Sequence, residues 1–273
     1  MNHNVIGLDI AKHVFHLYTI QSDGKVFKKM LKRQEVLVFF ANYPNSLIGI
    51  EACGSSHYWA RALTNLGHDI KLLNARHVKA FVKGNKNDFN DAEAIFDAVS
   101  RPNVRTIAIK TIDQQDIQLI HRLRQEAIKR RTALVNQLRG LLSERGIVIG
   151  QGVNQVRKRL PELLEDAENA LTVLSRAAFA EQYERLLEFD KEIKRYDQNM
   201  NQLCQANALS QRLAEVPGIG PLTATIVAAY LGEYRHYVNA RHYSASLGIV
   251  PRQNSSGGKS TFAENLGNGA IAK

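Results

Sequence analysis

The chain has 273 residues, of which 44% are hydrophobic, with a formal net charge of +10 and an isoelectric point of about 9.6. This length allows two small domains or one domain with an appendage. The composition excludes disorder throughout, a membrane helix of about 18 apolar residues, and a disulfide framework, since only Cys53 and Cys204 occur. The basic balance predicts a polyanionic partner, nucleic acid before an anionic membrane, although basic ribosome-associated proteins share it.

Residues 1–107 have the pattern of a mixed α/β domain. Strands are predicted over residues 4–10, 13–20, 25–31, 46–50 and 69–74, and helices over residues 35–42, 55–66 and 90–100. Three strands in hairpins, followed by alternating helix and strand, is the element order of an RNase H-like fold. Asp9 interrupts the first apolar run, so a signal peptide is not expected. Because only two cysteines occur, a reducing, cytoplasmic location is expected.

Residues 108–208 show apolar residues at helical spacing and few Gly or Pro, which predicts a long helical hairpin or coiled coil with its turn near 146–152. Ten Lys and Arg against two Asp and Glu lie between positions 122 and 159, a net of +8. Five Lys and Arg against ten Asp and Glu lie between positions 160 and 200, a net charge of −5. The basic run is either a nucleic-acid face or one of two arms that neutralise each other. Its candidate nucleic-acid contacts are Arg130, Arg131, Arg157 and Arg159.

Residues 209–273 form a third predicted unit. Pro217-Gly218-Ile219-Gly220 precedes an apolar helix at 222–231, and a second helix is predicted at 239–247. The turn is similar to that of a helix-hairpin-helix motif, in which Gly218 and Gly220 let the backbone approach a phosphate and helix-terminal amides bind it. The alternative is a tight turn between two helices.

Four acidic residues form the main candidate site. Asp9 lies in an apolar strand, where an unpaired carboxylate costs several kcal/mol, and Glu51 closes a second apolar strand. Asp88 and Asp91 have the i,i+3 spacing of one face of a helix start. Together they predict a site for Mg²⁺ or Mn²⁺, which can cleave a phosphodiester as a two-metal centre. Gly7 is expected to leave room for a phosphate backbone.

Taken singly, three of these acids have structural alternatives. Asp88 suits a helix N-cap and Asp91 a first helical turn, while Glu51 suits a solvated strand end. Residues 251–259 are a candidate nucleophile loop, in which a serine hydroxyl lies near Arg252 and Lys259 as phosphate ligands. The alternative there is a flexible basic loop.

These segments together resemble the IS110/IS1111 family of insertion-sequence transposases over nearly the whole chain. The matching segments are residues 7–12, 50–54, 86–94, 216–220, 247–252 and 255–259. The resemblance implies a RuvC-like domain with an Asp-Glu-Asp-Asp metal site, which maps to Asp9, Glu51, Asp88 and Asp91. It also implies a C-terminal transposase domain whose serine nucleophile maps to Ser256. Family chains usually continue beyond the Ser-Gly segment with a basic stretch and further helices. Residues 262–273 do not resemble that continuation, so a frameshift or truncation is expected.

The expected organisation is therefore a RuvC-like domain at 1–107, a coiled coil at 108–208 that forms dimers or tetramers, and a small, mainly α transposase domain at 209–273. The expected partners are DNA and, by resemblance, a bridge-type guide RNA. A metal-dependent nuclease similar to a Holliday-junction resolvase, in which water attacks, is one alternative. An inactive nucleic-acid-binding remnant is another. Ser256→Ala separates recombinase from nuclease, and metal-dependent cleavage separates nuclease from remnant.

Overall fold

A computed structural model describes residues 4–82, 87–102, 104, 106–231, 237–246, 252–256 and 259–263. The chain divides into two units, Met1–Thr111 and Ile112–Lys273. The three-part division expected from the sequence stays a prediction. No helix in the described ranges is long and apolar enough to cross a bilayer.

The first unit is built on a six-stranded mixed sheet. Its strands are β1 (Asn4–Ile10), β2 (Val14–Ile20), β3 (Val26–Lys32), β4 (Ser46–Glu51), β5 (Asp69–Leu73) and β6 (Thr106–Ile107). The strand order is β3-β2-β1-β4-β5-β6. Strands β1, β2 and β3 are antiparallel neighbours, whereas β4 runs parallel to β1 and β5 parallel to β4. The expected mixed α/β character of this part of the chain is confirmed.

Helices cover both faces of the sheet. They are α1 (Val36–Ala41), α2 (Ser56–Asn65), α3 (Ala75–Lys79) and α4 (Asp88–Val99), with a 3-10 turn at Arg33–Glu35. The larger core lies under α1 and α2, where Phe40, Trp59 and Leu63 pack with Leu8 and Phe15. A smaller core lies under α3 and α4. Alternation along β1 explains both, because even-numbered residues face one core and odd-numbered residues face α4.

Helix α4 lies directly on backbone. Gly7 and Gly49 are neighbours in the β1–β4 register. A Cβ at Gly7 would overlap the Ala92 carbonyl oxygen, and one at Gly49 would lie 2.8 Å from the Val99 Cβ. The expectation that Gly7 leaves room for a phosphate is therefore wrong, because α4 fills that space.

The second unit is mainly helical. It contains α5 (Ile112–Ser143), α6 (Val153–Glu165), α7 (Val173–Ala206), α8 (Ala208–Ala214), α9 (Pro221–Leu231) and α10 (Ala240–Ser246). Helices α5 and α7 are antiparallel, since Arg124 contacts Asp197 while Arg131 contacts Asp190. The expected simple hairpin is interrupted between residues 165 and 173. There Arg176 donates to the Leu163 and Leu164 carbonyls and so satisfies the end of α6.

The serine-containing segment is a β-hairpin where a loop is expected. Strand β7 (Arg252–Ser256) pairs antiparallel with β8 (Lys259–Ala263). Residues 257–258 lie outside the described ranges. A Gly-Gly pair between two short runs favours a two-residue hairpin, so Gly257-Gly258 was the sequence signal for it.

Candidate functional site

Asp9 and Glu51 lie side by side at the carboxyl ends of β1 and β4. The parallel register pairs Leu8 with Ile50, which makes the two acids the next step along both strands. Each acid follows a glycine by two residues, so it shares the face of the sheet on which α4 lies. Both strands therefore have the same pattern: a glycine packs against α4, and an acidic residue follows two positions later.

Asp88 and Asp91 lie in the first turn of α4. The helix begins two residues before the predicted start because Asn87 caps it, its side chain accepting from the Phe89 amide at 3.0 Å. Asp88 is therefore not the N-cap that its alternative interpretation requires. The first turn of α4 lies toward Asp9, because Asp88 and Phe89 contact His16, the residue opposite Asp9 in the β1–β2 register.

The four carboxylates interact. Burial, followed by the charges of Asp91, Asp88 and Glu51, raises the pKa of Asp9 to about 6. Burial and then Asp91 also raise the pKa of Glu51. The negative charge extends to Cys53, whose thiol pKa is raised to about 11 by burial, Glu51 and Asp9. The thiol is therefore not a nucleophile at neutral pH.

The donor set suits a hard divalent cation. All four candidate ligands are carboxylates, the groups that Mg²⁺ and Mn²⁺ prefer. Among the described residues, no lysine or arginine forms an ion pair with any of the four. Nor do three acidic, His or Cys side chains of those residues already converge on one metal position. Binding would thus draw the carboxylates closer together, with the cation supplying the missing positive charge.

The candidate arginines of the helical unit are already engaged. Arg131 and Arg157 both bind Asp190, at 2.9 and 2.5 Å. The exposed Arg130 pairs with Glu126 and the exposed Arg159 with Glu162. These pairs agree with the alternative in which the basic and acidic segments neutralise each other. Contact of the four arginines with nucleic acid stays a prediction.

The Pro-Gly-Ile-Gly turn connects α8 to α9. Gly218 has a φ of +87°, a left-handed conformation that favours glycine. A Cβ at Gly218 or Gly220 would meet no atom within 4 Å, so this backbone is open. A helix, an open glycine turn and a second helix are the parts that the motif requires. Phosphate binding there stays a prediction.

Ser256 is the last residue of β7, directly opposite Lys259 in the hairpin register. Arg252 stands at the other end of the hairpin, opposite Ala263. The backbone therefore brings Lys259 next to Ser256 and keeps Arg252 four residues away along the strand.

Two family models match the chain. One, a DEDD transposase model of the IS110 type, matches residues 6–146 and includes all four acids. The other, described as transposase IS116/IS110/IS902 family, matches residues 210–268 and includes Ser256. The chain belongs to the IS110 family of insertion-sequence transposases.

Curated relatives support the same assignment for the transposase. It is 40% identical over 270 residues to a probable family 20 transposase of Pseudomonas aeruginosa, covering 98% of this chain and 79% of the relative. It is 38% identical to the transposase for insertion sequence element IS1111A of Coxiella burnetii, covering 93% and 70%. The transposase for IS1328 of Yersinia enterocolitica is 36% identical, with 96% and 78% covered. The expected family and enzyme class are confirmed.

The transposase also has a residue at the site that the sequence patterns do not single out. His16 lies directly across from Asp9 in the β1–β2 register. Its Nε2 is 3.9 Å from an Asp88 carboxylate oxygen, and its ring meets Phe89 edge-on at 4.7 Å. The side chain is buried, and its Nδ1 has no hydrogen-bond partner in the described part of the structure. The available signal was a histidine in a strand of otherwise aliphatic, aromatic and β-branched residues.

Proposed function

We propose that the transposase cuts and rejoins DNA with a divalent ion, Mg²⁺ or Mn²⁺, held by Asp9, Glu51, Asp88 and Asp91, and with Ser256 as nucleophile. The observation that carries the proposal is the placement of the acids: Asp9 and Glu51 lie side by side at two neighbouring strand ends, and Asp88 and Asp91 lie in the first turn of α4. The pKa of Asp9, which burial and three neighbouring carboxylates raise to about 6, agrees with this placement. Like charges brought together in this way favour either a bound proton or a bound cation. The reaction class follows from the family.

When bound, the metal supplies Lewis-acid stabilisation of the scissile phosphate. Asp9 and Glu51, at two neighbouring strand ends, and Asp88 and Asp91, in the first turn of α4, would hold it. The contact of α4 with Gly7 and Gly49 sets the separation of these two groups of ligands.

Ser256 forms an ester bond from its Oγ to the scissile phosphorus while the bond from phosphorus to the leaving sugar oxygen breaks. The hydroxyl proton ends on that leaving oxygen. The ester conserves the phosphodiester bond energy, so attack by another DNA end can rejoin the strands without a further energy source. Lys259 and Arg252 are the proposed phosphate contacts of this hairpin, and Gly218 and Gly220 those of the α8–α9 turn.

The finer architecture belongs to the same proposal. The strand order β3-β2-β1-β4-β5, with three antiparallel strands and then two parallel ones, supports an RNase H-like, RuvC-like domain at 1–107. The antiparallel α5 and α7 support a coiled-coil region at 108–208 that assembles dimers or tetramers, followed by the transposase domain at 209–273. A bridge-type RNA that selects the DNA rests on the family resemblance alone, and a cytoplasmic location on the low cysteine count.

The proposal is tested by trapping the covalent intermediate. The full chain, with RNA transcribed from the DNA flanking its gene, is incubated with a nicked suicide substrate and Mg²⁺ or Mn²⁺. We expect a protein–DNA adduct at Ser256 that is lost in Ser256→Ala and in Asp9→Asn but kept in the neighbouring Ser255→Ala.

Two results would overturn this mechanism. Metal-dependent cleavage that persists in Ser256→Ala without any adduct would assign the attack to water and support a nuclease. DNA binding without cleavage in either metal would support an inactive remnant.

A further inference from the structure

A cavity lies at the same end of the sheet as Asp9 and Glu51, under α1 and α2 instead of α4. It is formed where the β1–β2 turn, the end of β3 and the start of α2 meet. Its volume is about 700 Å³, within the roughly 300–1,000 Å³ of sites that hold small organic groups. The residues that give it chemical character are His13, Lys32, Arg33, Tyr58 and Trp59.

The cations of this cavity have no acidic partner among the residues that the structure describes. Neither Lys32 nor Arg33 forms an ion pair among the described residues, in contrast to the engaged arginines on α5 and α6. Glu35 is the acidic residue nearest to Lys32 and Arg33 in the sequence. Its carboxylate accepts a hydrogen bond from the backbone amide of Lys32 at 2.8 Å. Arg33 instead lies over the Trp59 ring, 5.0 Å from its centre, and its Nη1 donates to the Lys12 carbonyl oxygen at 3.4 Å. The Lys32 ammonium and the other N–H groups of the Arg33 guanidinium are thus available to an external anion.

The aromatic groups of the cavity are a buried tryptophan and a half-exposed tyrosine beside it. Trp59 is 3% exposed and packs edge-on against Phe15, with ring centres 4.8 Å apart. Its indole Nε1, a donor only, has no hydrogen-bond partner within the described ranges. Tyr58 meets Trp59 edge-on at 5.2 Å and is itself 49% exposed. An exposed aromatic ring on a fixed base is a surface on which a nucleobase can stack.

We infer that this cavity binds a nucleotide of an unpaired nucleic-acid strand, with its base on Tyr58 or the Arg33 guanidinium and its phosphate at Lys32 and Arg33. Cations beside aromatic side chains are the combination that single strands require, because stacking needs free base faces and the backbone needs positive charge. A duplex keeps its bases stacked inside and cannot insert one into a concave cavity without flipping it out.

The position gives the cavity its role. His13 follows Asp9 by four residues, and α2 begins five residues after Glu51. A nucleic-acid strand bound here would lie near the acidic site. Lys32 and Arg33 would then supply the positive charge for binding DNA that the four carboxylates do not provide. This role rests on the proposed function, whereas nucleotide binding itself does not need the metal site.

Trp59 makes the inference directly measurable because it is the single tryptophan of the chain. The full protein in EDTA is titrated with oligothymidylate, oligouridylate and a DNA duplex of equal length while Trp59 emission is followed. We expect saturable quenching by an unpaired strand and little by the duplex. Quenching by only one of the two oligonucleotides would identify DNA or RNA as the source of the nucleotide.

Matched variants locate the binding. Tyr58→Ala and Arg33→Ala should weaken binding about fivefold or more, the lower end of the effect of losing one base stack. Tyr58→Phe keeps the ring and should bind normally. Lys25→Ala removes an exposed cation that pairs with Asp23 and should also bind normally. Thermal unfolding of each variant reports whether it is folded.

Three outcomes would overturn the inference: no saturable quenching, equal quenching by the duplex, or folded Tyr58→Ala and Arg33→Ala proteins that bind like Lys25→Ala. Asp9→Asn separates it from the proposed function. That variant should keep the quenching even if the metal mechanism is correct, and normal cleavage by Asp9→Asn would remove the metal mechanism without affecting the cavity.

Discussion

Among single residues, the four acids differ in their access to water. The side chain of Asp88 is 66% exposed, whereas Asp9 is half-buried between β1 and α4. Burial disfavours the charged form, and the other three carboxylates add to this effect at Asp9. Asp9 is therefore the acid whose ionisation depends most on a neighbouring cation.

Asp9 should make the metal-free protein less stable as the pH rises. Its pKa of about 6 in the folded chain lies above the ordinary value of 3.8, so the folded state holds a proton that the unfolded state has released. The associated stability is complete below about pH 4 and is lost as the pH rises through 6. In EDTA at pH 8, Asp9→Asn should unfold at a higher temperature than the wild type, and the difference should shrink toward pH 4.

Calorimetry across this pH range tests the prediction. Adding Mg²⁺ or Mn²⁺ at pH 8 should raise the unfolding temperature of the wild type more than that of Asp9→Asn, because ligand binding stabilises the state that binds it. Parallel pH profiles for the two proteins would contradict it.

His16 is expected to act as a positioning residue for Asp88. His16→Phe keeps a buried ring and removes an unpartnered polar nitrogen, so the unfolding temperature should stay equal or rise. Cleavage should nevertheless need a higher metal concentration for half-maximal rate, because Asp88 loses its neighbour at 3.9 Å. His16→Gln, which retains a donor, should recover part of the metal affinity. A parallel loss of stability and activity would indicate a packing role alone.

Among secondary-structure elements, the contact of α4 with the sheet decides where the acids lie. Side chains normally separate a helix from the sheet on which it packs. Here Gly7 and Gly49, which are neighbours on β1 and β4, have no side chains to separate α4 from the sheet. The first turn of the helix can therefore reach the strand ends that carry Asp9 and Glu51.

Gly7→Ala should displace α4. The new methyl group would collide with the Ala92 carbonyl oxygen and the Phe96 backbone, which cannot rotate away as a side chain could. We expect a loss of about 1–3 kcal/mol in the free energy of unfolding, measured in urea, and weaker metal-dependent cleavage. Gly140→Ala is the control, since its Cβ meets nothing within 4 Å and should gain up to about 1 kcal/mol in helix α5. Unchanged stability of Gly7→Ala would show that α4 can move at little cost.

Most elements of the first unit could be predicted within one or two residues, because hydrophobic alternation and turn residues mark them locally. The start of α4 could not, since Asn87 acts as its cap through a side-chain contact that the apolar pattern does not record. The positions of Asp9 and Glu51 at neighbouring strand ends and of Asp88 and Asp91 in the first turn of a helix were predictable from strand ends and helix spacing, whereas their binding of one metal stays a prediction. The cavity at Arg33 and Tyr58 was not predictable, because it joins three segments that only the tertiary fold brings together.

For the whole molecule, a net charge of +10 overstates the charge available to nucleic acid. Much of the basic charge on α5 and α6 is matched by carboxylates on α7 or one helical turn away. Only cations that exchange a counterion for a phosphate contribute to salt-dependent binding. The number of such cations is therefore smaller than the composition predicts.

Two double variants should separate these arginines. Arg130 and Arg159 have exposed side chains and weak surface pairs, so replacing both by Ala should reduce the slope of log K against log salt by about 0.7–0.9 for each arginine that binds a phosphate. Replacing Arg131 and Arg157 should leave the slope unchanged and reduce stability, because both hold Asp190. Fluorescence anisotropy with labelled DNA at several salt concentrations measures the slopes. Equal effects of the two double variants would mean that the ion pairs with Asp190 open when DNA binds.

The ion pairs between α5 and α7 have a repeat that leaves their alignment ambiguous. Arg124 and Arg131 are seven residues apart, as are Asp190 and Asp197, so sliding α7 by two turns in either direction, about 10 Å, would still match one arginine with one aspartate. Charge alone would tolerate that slip. Arg157 excludes one of these slips, because it reaches Asp190 from a third helix and would lose it if α7 slid to place Asp190 beside Arg124. The opposite slip would bring Asp197 to both Arg131 and Arg157, so charge alone does not exclude it. Deletion of α6 should therefore yield helices that still associate and can also adopt the alignment that pairs Arg124 with Asp190.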